Sequence, residues 1–123
     1  MSAFTVLVVE DDVWLSEQYA RILKKSNYNV LFASNALTAI QIIDDNKLDV
    51  IILDVLLTGS TAFALLHELQ SYGDIGEIPI IMCTNLSSDL SIENLSPYGV
   101  KCIIDKTTMK PSDILVEIKN ILL

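Results

Sequence analysis

Short apolar stretches alternate with longer amphipathic ones from one end of the chain to the other. Five runs rich in Val and Ile stand at residues 5–9 (TVLVV), 29–33 (NVLFA), 50–53 (VIIL), 79–83 (PIIMC) and 101–104 (KCII). Runs that are apolar throughout, without alternation, predict strands covered on both faces. Between them apolar residues return at helical spacing. Leu15, Tyr19, Ile22 and Leu23 share a face in 13–25, and Leu37, Ile40, Ile42 and Ile43 cluster in 36–45. Phe63, Leu66 and Leu69 line up in 61–72, as do Ile114, Leu115, Ile118, Ile121 and Leu122 in 111–122. The stripe in 86–98 is thin, resting on Leu90 and Leu95, and Pro97 predicts an early stop. The segments 24–29 (KKSNYN) and 71–79 (SYGDIGEIP) are turn-rich connections.

The alternation is a (βα)₅ pattern. Right-handed crossovers with helices on both faces turn it into a single α/β domain, an open, doubly wound parallel sheet. In such sheets the working crevice lies beyond the carboxyl ends of the strands. At those ends stand Glu10, Asp11 and Asp12 after the first run, Asp54 after the third, Thr84 after the fourth, and Asp105 and Lys106 after the fifth. A lone carboxylate at the tip of a dry strand is costly, so Asp54 needs company. Acids gathered on one rim repel unless a cation neutralises them, and oxygen-only ligands favour Mg²⁺ (or Mn²⁺). A carboxylate so placed can act as a nucleophile toward phosphorus. The chemistry then rests on positioning and on neutralising the peripheral phosphoryl oxygens.

Composition narrows this further. A chain of 123 residues, 51% hydrophobic, has room for one domain with one core, here residues 1–123. The net charge of −8, with no basic cluster, argues against direct nucleic-acid binding and suits a protein that attracts divalent cations or a basic partner surface. No apolar run approaches the roughly 18 residues of a membrane span, and acids arrive too early for a signal peptide. Cys83 and Cys102 match no metal spacing and lie in strand-like runs, so buried thiols in a reducing cytoplasm are expected.

The sequence resembles the receiver domain of two-component response regulators over essentially its whole length. The resemblance is carried by VVEDD (8–12), IILD (51–54), IIMCT (80–84) and IIDK (103–106), with Gly99 before the last strand. It implies strand order 2-1-3-4-5 and a phosphorelay role. Asp54 would accept a phosphoryl group from a phosphohistidine on a sensor histidine kinase or phosphotransfer protein. Asp11, Asp54 and the backbone carbonyl of Leu56 would ligate the metal, with Glu10 acting largely through water. Thr84 would swing toward the phosphate and Lys106 would pair with it. Beyond this self-phosphorylation and autodephosphorylation no substrate turnover is expected. The partner surface would lie on the last strand–helix units, facing a downstream protein or a fused effector. Asp12 reads as a solvated or helix-capping acid.

Several positions depart from the family. Thr58 and Ala62 replace a usual Pro and Gly, and Lys106 is followed by Thr107 in place of Pro. A cis non-proline bond costs about 2.5–4 kcal/mol, so a trans bond is expected. The switch-aromatic position is Ile103. Leu56 and Leu86, flanking the path of attacking water, cannot orient it, which predicts a long-lived aspartyl phosphate. His67, the only histidine, reads as a surface or boundary residue, and Trp14 as packing or a partly exposed rim. Leu90, Ile92 and Leu95 form either a partner-facing patch or the core of a short helix. The main alternative is a pseudo-receiver, a protein-binding module that works without phosphorylation. A haloacid-dehalogenase-like enzyme is disfavoured because Leu56 stands where its second Asp would be. A flavodoxin-like cofactor binder would need a phosphate-cradling loop after the first strand, where acids stand instead.

Overall fold

The computed structural model describes residues 4–54, 66–67, 78–84, 92–106, 108 and 110–122, with the side chains of Ala36, Asp54, Ile92, Asn94 and Pro111 outside the description. Five parallel strands form one sheet in the order β2-β1-β3-β4-β5. They are β1 (Thr5–Val9), β2 (Asn29–Ala33), β3 (Val50–Asp54), β4 (Ile80–Thr84) and β5 (Val100–Asp105). The described helices are α1 (Val13–Lys25), α2 (Ala36–Asp45), the short α3 (Ile92–Leu95) and α4 (Pro111–Leu122). A 3₁₀ turn, Ser96–Tyr98, joins α3 to β5, so helical structure tightens where Pro97 enters. Of the helix expected over 61–72, Leu66 and His67 are described and helical; Phe63 and Leu69 lie outside the described residues, as does Leu90.

Side chains leave a strand on alternating faces, so each face of the sheet acquires its own core. On one face Leu7, Val9, Ile51, Leu53, Ile80 and Met82 pack with Ala39, Ile40 and Ile43 of α2, and with Leu66 and Leu95. On the other, Val6, Val8, Val50, Ile52, Ile81 and Cys83 pack with Tyr19 and Leu23 of α1 and with Ile114 and Ile118 of α4. The inner strands β1, β3 and β4 are therefore dry on both sides. The edge strands correct the expectation of full cover: Val30 and Leu31 of β2 and most of β5 are half-buried, and Phe32 is exposed. An edge strand has one neighbour, and its outer flank meets water. Cys102, on β5, is half-buried for the same reason, whereas Cys83 is buried; neither forms a disulfide.

Helix ends follow local chemistry. Asp12 caps α1, its carboxylate accepting from Leu15 N, and Asn35 caps α2 by accepting from Thr38 N. Asn27 closes α1 in the left-handed region at φ 67°, with Asn27 N donating to Lys24 O and Tyr28 N to Leu23 O. Pro111 opens α4, where Lys110 N donates to the Asp113 carboxylate. Leu37 departs from the expected stripe: it is exposed, and the buried face of α2 runs through Ala39, Ile40 and Ile43. Leu37 sits in the first turn of α2.

Candidate functional site

A parallel sheet brings all its carboxyl ends to one rim. Val9 pairs with Leu53, Asp54 with Cys83, and Thr84 with Asp105. The residues following β1 and ending β3, β4 and β5 are thus neighbours, although they are far apart in the chain. Glu10 continues β1 by donating its backbone N–H to Ala33 O at 2.9 Å, which directs the chain inward before α1 begins.

The best-defined contact at the rim joins Glu10 and Lys106. The Lys106 Nζ lies 3.6 Å from Glu10 Oε2, with the glutamate side chain fully buried and the lysine 10% exposed. The other carboxylate oxygen, Oε1, accepts the Asp12 N–H at 2.9 Å. One oxygen of Glu10 is therefore hydrogen-bonded and the other faces the ammonium at a distance longer than a hydrogen bond. Lys106 is held at its backbone too, its N–H donating to Thr84 O at 3.0 Å. Thr84 is buried beside it. Asp11 is exposed between these groups and α1, and Asp12 is spent on the helix cap.

Of the residues singled out from sequence, Glu10, Thr84 and Lys106 come together, with Asp11 at their outer margin. Asp54 has its backbone in the same row, at the end of β3; its side chain, Leu56 and Leu86 lie outside the described residues, as does the Lys106–Thr107 bond. Ile103 is half-buried, pairs with Met82 and packs on the face that holds Leu66 and Leu95. Trp14 is exposed at the start of α1.

For a divalent ion the rim offers the right donor chemistry, since Glu10 and Asp11 present oxygen only and Asp54 ends the adjacent strand. Among the described residues alone, no group of three or more acidic, His or Cys residues could hold a metal. The acid of β3 is what would complete the set. Two contacts escaped sequence reading. Asp49 Oδ2 accepts the Thr5 N–H at 2.7 Å and fixes the start of β1. Tyr98 bonds His67 across 31 positions of sequence, a contact no local pattern announces.

A family model described as "Response regulator receiver domain" matches residues 6–119. The chain is 34% identical to the transcriptional regulatory protein YvrH of Bacillus subtilis, covering 81% of this chain and 40% of that protein. It is 32% identical to the phosphate regulon transcriptional regulatory protein PhoB of Pseudomonas aeruginosa, over 96% of this chain and 51% of that one. The chain thus spans about half the length of these curated relatives, or less. A crystal structure of a putative response regulator from Chloroflexus aurantiacus superposes with a TM-score of 0.80 at 28% identity, covering 98% of each chain. A response regulator from Thermotoga maritima shares the fold at a TM-score of 0.82, 22% identity and 98% coverage of each.

Proposed function

The chain belongs to the receiver domain family of two-component response regulators, and from that premise we propose that Asp54 accepts a phosphoryl group from a phosphohistidine on a partner kinase or phosphotransfer protein. An Asp54 oxygen bonds to phosphorus as the P–N bond of the donor breaks, and the bonding pair leaves with the ring nitrogen, which takes up a proton. The observation that carries the reading is the buried Glu10–Lys106 pair, 3.6 Å apart, next to Thr84 on the rim where β3 ends in Asp54. An ammonium held inside the fold next to a row of acids is a ready-made counter-charge for a doubly negative group.

Mg²⁺ (or Mn²⁺), held by Asp11, Asp54 and the Leu56 carbonyl, would neutralise charge on the phosphoryl oxygens. Glu10, with one oxygen bonded to the Asp12 N–H and the other turned to Lys106, fits an outer position acting through water. Lys106 then exchanges part of its contact with Glu10 for a phosphoryl oxygen, and the Thr84 hydroxyl takes another. Downstream, the altered rim is read by a protein partner or by an effector carried on the same polypeptide.

Intact mass spectrometry tests this directly. Acetyl phosphate with Mg²⁺ should add one phosphoryl group, and the addition should vanish with EDTA and in Asp54→Asn. A chain that stays unmodified under all conditions is a pseudo-receiver, binding its partner without phosphorylation. Leu56 and Leu86 offer attacking water no hydrogen bond, so the phosphorylated form should be long-lived. Leu56→Asn and Leu86→Gln should each shorten its lifetime several-fold, and unchanged lifetimes in both would overturn that part of the reading.

A further inference from the structure

β5 runs to the rim from the opposite end of the sheet. At the rim it delivers Lys106; at its start it is fed by the 3₁₀ turn Ser96–Tyr98 and by Gly99, at φ 87° in the left-handed region glycine favours. Its pairing with β4 slips near that start. Ile80 faces Val100 while Ile81 faces Cys102, so Lys101 is an extra, exposed residue in the strand. A bulge in an edge strand is a place where pairing can shift. Two backbone bonds, Gly99 N to Ser96 O and Ile80 N to Gly99 O, hold the turn, and a side chain can add to them.

Tyr98 does so from the core side. Its ring is half-buried against the cluster that also receives Ile103 and contains Leu66 and Leu95. No other aromatic residue belongs to that cluster among the described residues. The hydroxyl and His67 Nε2 are hydrogen-bonded at 2.7 Å. The two rings also meet edge to face, with centroids 4.7 Å apart and planes at 79°. The contact therefore has two geometric restraints, and it ties the helical residues 66–67 to the turn that feeds β5.

We propose that the Tyr98–His67 pair is a latch: closed, it fixes the entry of β5 and with it the strand that carries Lys106; released, it lets the turn and the bulged strand shift together. Position 103 is an isoleucine with stiff side-chain preferences and no hydroxyl, and among the described residues the aromatic side chain on this face is Tyr98. The latch itself rests on the contact geometry, and its use in signalling rests on the phosphorylation reading above.

Amide hydrogen exchange in the full chain tests the latch without any phosphodonor. Tyr98→Phe and His67→Ala should each speed exchange at Gly99 and Ile80 about five-fold, the factor expected from a hydrogen bond's usual net contribution. Those two amides report the turn because Gly99 N donates to Ser96 O, and Ile80 N to Gly99 O. The double variant should be no faster than either single one, and His67→Gln, which keeps an acceptor, should restore most of the protection. Additive effects, or no effect in either single variant, would overturn the latch. The signalling arm uses beryllofluoride with Mg²⁺, monitored at amides 8–10 for site binding and at 96–103 for the turn. Binding that moves 96–103 in the native chain and clearly less in Tyr98→Phe supports the coupling. Binding that moves 96–103 equally in both rejects it. Absence of any change at 8–10 rejects the phosphorylation reading instead, leaving the exchange data to judge the latch.

Discussion

Glu10 keeps its carboxylate inside the fold because a backbone N–H and an ammonium meet its two oxygens. Removing Lys106 takes the counter-charge away from a desolvated carboxylate. Lys106→Met should therefore destabilise the chain by roughly 1–3 kcal/mol, read from urea unfolding, even though methionine fills similar space. It should also slow modification by acetyl phosphate, whereas a change confined to stability would separate Lys106 from the chemistry. That Glu10, Thr84 and Lys106 stand at strand ends was legible from their positions after apolar runs. That Lys106 rests on Glu10 was not, because the two are far apart in the chain and only the sheet brings them to 3.6 Å.

Elements were legible wherever local rules agreed with burial. Asn35 precedes an amphipathic stretch and caps it with a 2.8 Å bond from Thr38 N, so Asn35→Ala should cost about 1 kcal/mol of stability and leave phosphorylation unchanged. The apolar period overreached at Leu37, which a helical wheel assigns to the core and the fold leaves exposed. β5 shows a second effect of position. Burial, with the charge and hydrogen bonding of Glu117 on α4, pushes the Cys102 thiol up to about 11 from its usual 9.0. The folded chain then holds that proton better than the unfolded one, so the contribution is complete below pH 9 and is lost as pH rises toward 11. The urea midpoint should fall across that window in the native chain and less steeply in Cys102→Ala. Identical slopes would detach the thiol from the stability of the β5–α4 contact.

At the scale of the molecule the main electrostatic fact is excess negative charge, −8 over 123 residues. Such an excess of like charge repels itself more in the compact state than in the unfolded chain. Raising NaCl from roughly 10 to 200 mM shortens the Debye length from about 30 Å to below 8 Å and should raise the melting temperature. Mg²⁺ at millimolar levels should stabilise beyond an ionic-strength-matched NaCl control, with the excess lost in Asp11→Asn. An equal response to both salts would mean screening alone. Among the described residues no helix is long and apolar enough to cross a membrane.

The sequence by itself determined the strands, most of the helices and the order of the chemically active residues along the chain. Those features depend on periodicity, caps and the punctuation of Gly and Pro, all of which act within a few residues. Tertiary structure alone decided which runs became dry inner strands and which became half-wet edges, where the register slips at Lys101, and which side chains pair across the rim. The Tyr98–His67 contact belongs to the same group. Each of these depends on distances between residues that are close only once the sheet has formed, and no local pattern encodes such a distance.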